Sequence, residues 1–335
     1  MFPAQTITFD AALRDVASGS PKARAHAAHA LGDVTDQTER RRAIDALIRA
    51  LDDDRFEVRA EACSSLGQLG ELGVAPHLIK RLADGAPAVR QNAAVALGTL
   101  RAPDGFEALA DALRGGPPDL RFQAATSLAE IDPPRAFDLE IAALADGDPQ
   151  VVGAAALSIG AIAAEYPEAK LAERAREALA PRLAHADAGA RFDVAYALAD
   201  VGDARGADVL ARATTDEHRA WDAVTALAKL GPAAAAELQE AVEHKKTPLE
   251  AQTLAAGRLL AVDPEHARAR KVLLAGLAAR KVHVRGIAIE QLAQVGRAWA
   301  LAPLEQFARS SKGADWLAPL DQALRAIAAR GSKPA

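Results

Sequence analysis

The stretch Val89–Leu100, VRQNAAVALGTL, carries a pattern that recurs about nine times along this chain. With Arg90 taken as position zero, Ala94, Leu97 and Leu100 stand at plus four, plus seven and plus ten. Plus seven is Leu31, Leu66, Leu97, Leu128, Ile159, Leu198, Leu227, Leu259 and Leu292 in successive copies. Plus four is Ala28, Cys63, Ala94, Ala125, Ala156, Ala195, Val224, Ala256 and Ile289, and plus ten is apolar throughout. Intervals of three and four draw one stripe on an α-helix. A stripe that returns at a fixed longer period predicts an all-α solenoid. The zero positions fall at Arg24, Arg59, Arg90, Arg121, Val152, Arg191, Ala220, Gln252 and Arg285, spaced 29 to 39 residues apart.

Each unit holds two helical segments. The first carries the stripe and often ends in glycine (Gly67 or Gly70, Gly98, Gly160, Gly202, Gly231, Gly296), the residue that tolerates a left-handed helix stop. The second is shorter, as in residues 74–82 and 105–113, and ends in an Asp/Gly turn. Prolines lie in the turns or near the starts of second helices, where they set boundaries. The fifth unit is about eight residues longer than the others, and residues 163–186 read as a second helix extended by about two turns. A short helix over residues 8–18, with Phe9, Leu13 and Val16 on one face, reads as a cap. A last helix over 314–330, with Trp316, Leu317, Leu320, Leu324 and Ile327 on one side, reads as the other cap. The domain organisation predicted is therefore a capping helix in 1–19, a solenoid over 20–311, a capping helix in 312–330 and a flexible tail in 331–335.

Units such as DDRFEVRAEACSSLGQLG (53–70) and GAPAVRQNAAVALGTL (85–100) resemble the short HEAT-like repeats of the phycobilisome-lyase type. The acidic turn, the Val-Arg pair, the Ala-rich helix and the Leu-Gly close carry the resemblance, which covers about residues 20 to 310. It implies a right-handed superhelix with first helices on the convex layer and second helices on the concave one. It is nearly silent on function, because this repeat serves unrelated roles.

Composition narrows the choice. Half the residues are apolar but only 4% are aromatic, which suits close helix packing and gives little material for a sheet. The single cysteine, Cys63, lies on the stripe, which allows no disulfide within the chain and fits a reducing, cytoplasmic compartment. The opening MFPAQTITFDAALRD has neither a basic start nor an apolar run, so it does not read as a signal peptide, and no apolar stretch approaches a membrane span. Relatives of this repeat do chemistry, and the residues that each kind needs can be looked for in this chain. Deoxyhypusine hydroxylases hold iron with His-Glu pairs; this chain has no His-Glu dipeptide, and His26 and His29, three apart on one helix, have no third ligand in register. Phycobilin lyases need an aromatic-lined pocket, and only two tyrosines and three tryptophans are present. A DNA-glycosylase-like groove needs a basic surface, and the formal charge is −5. The predicted function is a non-catalytic protein–protein interaction scaffold or adaptor that uses its concave groove and charged ends, without cofactor or metal. The alternative is a ligand-binding or DNA-repair (glycosylase-like) HEAT-repeat protein using Trp221 and neighbouring charges.

Four features supply candidate sites. The recurrent arginine, preceded by a turn aspartate (Asp54 before Arg59, Asp84 before Arg90, Asp119 before Arg121), reads as a structural ladder between repeats; its loss at Val152 and Ala220 leaves the stripe intact. Aligned second helices put Arg49, Lys80, Asp111, Ala142, Ala211 and Glu240 in equivalent positions, with Arg81 and Arg114 close by, a row running from basic to acidic on which a partner would dock. Phe122, Phe192 and Trp221 all stand at plus one, candidates for an exposed aromatic row. Finally, residues 245–335 hold 15 Lys/Arg and 7 Asp/Glu, a net of +8, which leaves −13 on residues 1–244. Arg280, Lys281 and His283 concentrate the positive end, for an acidic partner segment or salt-sensitive self-association; nucleic acid is disfavoured by the acidic body.

Overall fold

The computed structural model describes residues 7–167, 170–310 and 312–331. Most of the predicted tail, and the first six residues, lie outside them. The chain folds as two compact units, residues 1–171 and 172–335, each a stack of helical hairpins. No strand occurs among the described residues, and none of their helices is long and apolar enough to cross a membrane.

Unit 1 opens with α1 (Phe9–Ser18), capped by the Thr8 hydroxyl, which buries Ala12 and Val16 against its neighbours. First helices α2 (Pro21–Gly32), α4 (Phe56–Leu69), α6 (Pro87–Thr99), α8 (Pro118–Ile131) and α10 (Pro149–Glu165) pack one on the next. Second helices α3 (Gln37–Ala50), α5 (Ala75–Arg81), α7 (Phe106–Gly115) and α9 (Pro133–Ala143) lie against them. The stripe is the core: Leu31, Leu66, Leu97, Leu128 and Ile159 are all 0% exposed. Each such side chain contributes about 1.5–3 kcal/mol of apolar burial. Cys63 is sealed in the same layer, and burial pushes its thiol up to about 12, so it is a packing residue and not a nucleophile.

Unit 2 begins within α11 (Leu171–Leu179) and continues through four hairpins. These are α12 (Ala188–Asp200) with α13 (Ala207–Ala213), α14 (Ala220–Lys229) with α15 (Ala235–Glu243), α16 (Leu249–Val262) with α17 (Ala267–Leu277), and α18 (Val282–Val295) with α19 (Ala298–Ala308). Helix α20 (Leu317–Gly331) closes the stack, burying Leu320, Ala323 and Ile327.

The fold departs from the sequence reading in three places. The fifth repeat's extra length does not extend its second helix: α10 grows to 17 residues, while α11 has 9 and passes into a tight 3-10 turn at Ala180–Ala184. Pro181, lacking an N–H, sits at the start of that turn, where it interrupts the α-helical ladder. Leu317 does not join the packed face of the last helix; it is 59% exposed, and Trp316 lies in the 3-10 turn before α20.

The third departure concerns the glycines. Gly98 and Gly160 sit inside helices, and Gly296 is not left-handed. The left-handed stop falls at plus eleven instead, on Gly70, Gly202 and Gly231, with Arg101 adopting it at φ 48°. Glycine at plus eight does different work. A Cβ on Gly67 would stand 2.9 Å from Ala96 Cα, and one on Gly98 would stand 3.1 Å from Ser127 Cα. Plus eight of one repeat thus meets plus six of the next, and the missing side chain lets consecutive first helices approach closely.

Candidate functional site

At the turns that lead from one repeat into the next, the zero-position arginines form a ladder. Arg59 donates from Nη1 to Asp53 O, six residues back in its own turn, at 2.9 Å. Its Nε and Nη2 reach forward to both oxygens of Asp84, at 2.8 Å each. Arg24 does the same with Asp53 at 2.6 and 2.7 Å, and Arg121 with Asp146 at 2.7 and 2.8 Å. Arg90 reaches Asp119 from Nη2 at 3.0 and 3.2 Å. The paired guanidinium holds Asp84 and Asp146 below the usual carboxylate range. In unit 2, among the described residues, Arg191 and Arg285 make only the backward bonds, to the carbonyls of His185 and Ala186 and of Ala279 and Arg280.

The aligned second-helix row is tied down at one point. In unit 1 Arg49, Lys80 and Asp111 are exposed, and in unit 2 so is Glu240. Exposed Arg114 pairs with Asp111 on its own helix at 2.7 Å. Arg81 is not a free groove cation: it is half-buried, donating to Leu51 O at 2.8 Å and to Asp52 at 3.0 Å, and so braces the preceding turn. Nor is the aromatic trio uniform. Phe122 and Trp221 are 37% and 43% exposed, but Phe192 is only 6% exposed. The Arg219 guanidinium lies 5.2 Å from the Phe192 ring centroid and the Tyr196 ring packs beside it, which removes Phe192 from any exposed row. In the basic cluster Arg280 is exposed, whereas Lys281 and His283 are both spent on Glu250 Oε1, at 2.6 and 2.8 Å. Those two contacts were not legible as pairs, because Glu250 lies 31 and 33 residues away in sequence.

Trp221 and Glu250 meet at a pocket of about 680 Å³, wholly within unit 2. Its walls come from three consecutive inter-repeat turns: Thr215 and Glu217 before α14, Lys246 before α16, and Lys281 before α18. Its floor includes Ala220, the zero position without an arginine, and its mouth carries Trp221 and Leu249, 43% and 41% exposed. The Lys281 ammonium pulls the Glu250 carboxyl down to about 2, with the His283 ring adding to it, so the pocket holds an ionised carboxylate, paired with an ammonium, beside an indole. Sequence reasoning noted Ala220 and Trp221 but missed Glu250. The available signal was its place two residues before Gln252, the same offset that Asp119 has from Arg121.

Comparisons with known proteins bear on the fold. Residues 11–98 and 106–172 match HEAT repeats, and residues 89–115 match the PBS lyase HEAT-like repeat. No curated protein matches the chain. Among solved structures, the Kap95:Nup1 complex is 12% identical over 97% of this chain and 54% of that one, with a TM-score of 0.60. Importin beta is 15% identical over 98% of this chain and 52% of its own, with a TM-score of 0.55, so this chain spans about half the length of either. The complex of CpcE and CpcF of phycocyanin lyase from Nostoc sp. is 23% identical over 78% of this chain and 98% of that one, with a TM-score of 0.46.

Proposed function

The chain is a HEAT-like repeat protein, and from that premise we propose that it is a non-catalytic scaffold that binds another protein, with the Trp221 pocket as its anchoring point. One observation carries this reading: Trp221 and Leu249 stand exposed together at the mouth of a concave site whose walls come from three successive turns. A solenoid keeps such turns in fixed register, so a partner meets a pre-organised surface and loses little freedom in fitting it. Tryptophan is the residue type enriched among interface anchors. Exposed charges on the second helices, Lys80 and Asp111 in unit 1 and Glu240 in unit 2, steer association more than they hold the complex.

The test is affinity capture from the native cell with the wild-type chain and with Trp221→Ala, Leu249→Ala. The wild type is expected to retain a protein partner in stoichiometric amount, and the double variant to lose it while keeping its helical circular dichroism. Absence of any stoichiometric partner would sink the scaffold reading. A partner retained equally by both chains would move the anchor elsewhere.

A further inference from the structure

We propose that the break in the arginine ladder at Ala220 is a slot for an arginine side chain of the partner protein, which completes the ladder in trans. This rests on the scaffold reading above and names the chemistry that its anchor takes.

The chain itself shows what belongs in this position. Wherever the zero position is arginine, its Nη1 points back at the turn carbonyls five or six residues earlier: Asp53 and Asp54 for Arg59, Asp84 and Gly85 for Arg90, His185 and Ala186 for Arg191, Ala279 and Arg280 for Arg285. The corresponding carbonyls before Ala220 are those of Thr214 and Thr215, and no donor among the described residues reaches either. Thr215 lines the pocket.

In unit 1 the ladder arginines also reach forward to a carboxylate on the next turn, which Arg191 and Arg285 of unit 2 do not. For Arg90 it is Asp119, two residues before the following zero position and 24% exposed. For the Ala220 slot it is Glu250, two residues before Gln252 and 23% exposed. Lys281 and His283 both bond to Glu250 Oε1, and no side chain among the described residues donates to Oε2. Gln252 does not refill the slot, because its amide turns back to Val242 O at 2.8 Å.

The remaining wall favours a guanidinium specifically. The exposed Trp221 indole lines the same space, and a planar guanidinium stacks on an aromatic face while its edges donate to carbonyls and carboxylate. An ammonium satisfies fewer of these acceptors at once. Leu249 beside it offers apolar surface for a neighbouring residue of the partner segment. Lys246 opposes the arrangement: it stands six residues before Gln252, where Asp53, Asp84 and Asp146 stand before Arg59, Arg90 and Val152. Glu217 and Glu250 bring two carboxylates to the pocket and Lys246 and Lys281 two ammonium groups, so a single arginine binds weakly until the rest of the partner adds its contacts.

The experiment follows the Trp221 indole N–H by NMR, identified by its loss in Trp221→Phe, while acetyl-Leu-Arg-Leu-amide is added at low salt. A saturable shift is expected, at least about tenfold weaker for the lysine peptide and absent for the citrulline peptide, which keeps the shape without the charge. Ala220→Arg fills the slot in cis; it is expected to raise the melting temperature and abolish the peptide shift. Lys246→Asp restores the turn aspartate and is expected to tighten the arginine peptide about tenfold. Equal response to the arginine and citrulline peptides overturns the proposal, as does an unchanged shift in Ala220→Arg or no saturable shift in both wild type and Lys246→Asp. A wild-type self-association in sedimentation that Ala220→Arg removes assigns the arginine to a second copy and overturns the partner-protein source. If captured partner is lost with Trp221→Ala, Leu249→Ala but retained in full by Ala220→Arg, the scaffold reading stands and the arginine slot falls.

Discussion

Arg59 and Asp84 face each other through two parallel hydrogen bonds of 2.8 Å, although 25 residues separate them in the chain. The Asp84 side chain is 6% exposed and that of Arg59 is 17% exposed, so the pair is largely withdrawn from water. What links these successive repeats of unit 1 at the turns is thus a forked, charge-assisted contact and not apolar packing alone.

Removing one partner should leave a buried charge without its counterpart. Arg59→Ala is expected to destabilise unit 1 by about 3 kcal/mol in chemical denaturation. Asp84 is held below its unfolded value, so its contribution is present above the ordinary carboxylate range and lost as pH falls through the lowered native value. The variant should therefore lose stability mainly at neutral pH and show a flatter acid limb than wild type. Parallel acid limbs would show that the pair is not what depresses Asp84.

Gly67→Ala tests the close approach of first helices. Alanine is the better helix former by about 1 kcal/mol, yet its methyl would meet Ala96 Cα at 2.9 Å. Overpacking of this kind costs about 1–3 kcal/mol, so the net outcome expected is a lower melting temperature. A higher one would mean that α4 and α6 can separate without loss.

Glu140 is 0% exposed and, among the described residues, neither of its carboxyl oxygens has a hydrogen-bond partner. Burial holds its pKa well above the ordinary value, so the folded chain keeps a proton that the unfolded chain releases. Stability is then full below the unfolded carboxyl range and declines as pH rises from there toward the raised native value. Glu140→Met should stabilise the protein at pH 8 by about 1–3 kcal/mol and bring little gain near pH 4. Melting curves across that range decide it, and a gain independent of pH would contradict the buried-acid account.

Charge reversal at the basic cluster has to respect Glu250. Arg280→Glu alters an exposed residue and should leave the melting temperature within about 0.5 kcal/mol of wild type in free-energy terms. Lys281→Glu is different, because it replaces the strongest cation on Glu250 with a second carboxylate. The Glu250 carboxyl is expected to rise from about 2 into or above the ordinary carboxylate range, followed by NMR titration of its side chain. An unmoved titration would show that His283 alone suffices.

By itself the sequence determined the repeat, its phase and its core. Leu97 and its equivalents recur at plus seven because one face of every first helix must be buried, and a 3.6-residue period writes that need directly into the chain. The arginine ladder was legible for the same reason, since a contact used at several successive turns leaves a mark at each of them. What the tertiary structure alone decided are contacts made once. The partners of Glu250, the cover over Phe192 and the bracing role of Arg81 all depend on residues about 25 to 35 positions away. Nothing local in the chain announces them, because a single long-range contact carries no period. The Ala220 pocket belongs to this second kind: the missing arginine was visible in the alignment of repeats, but only the fold set the Thr215 turn, the Trp221 indole and the Glu250 carboxylate around the space it leaves.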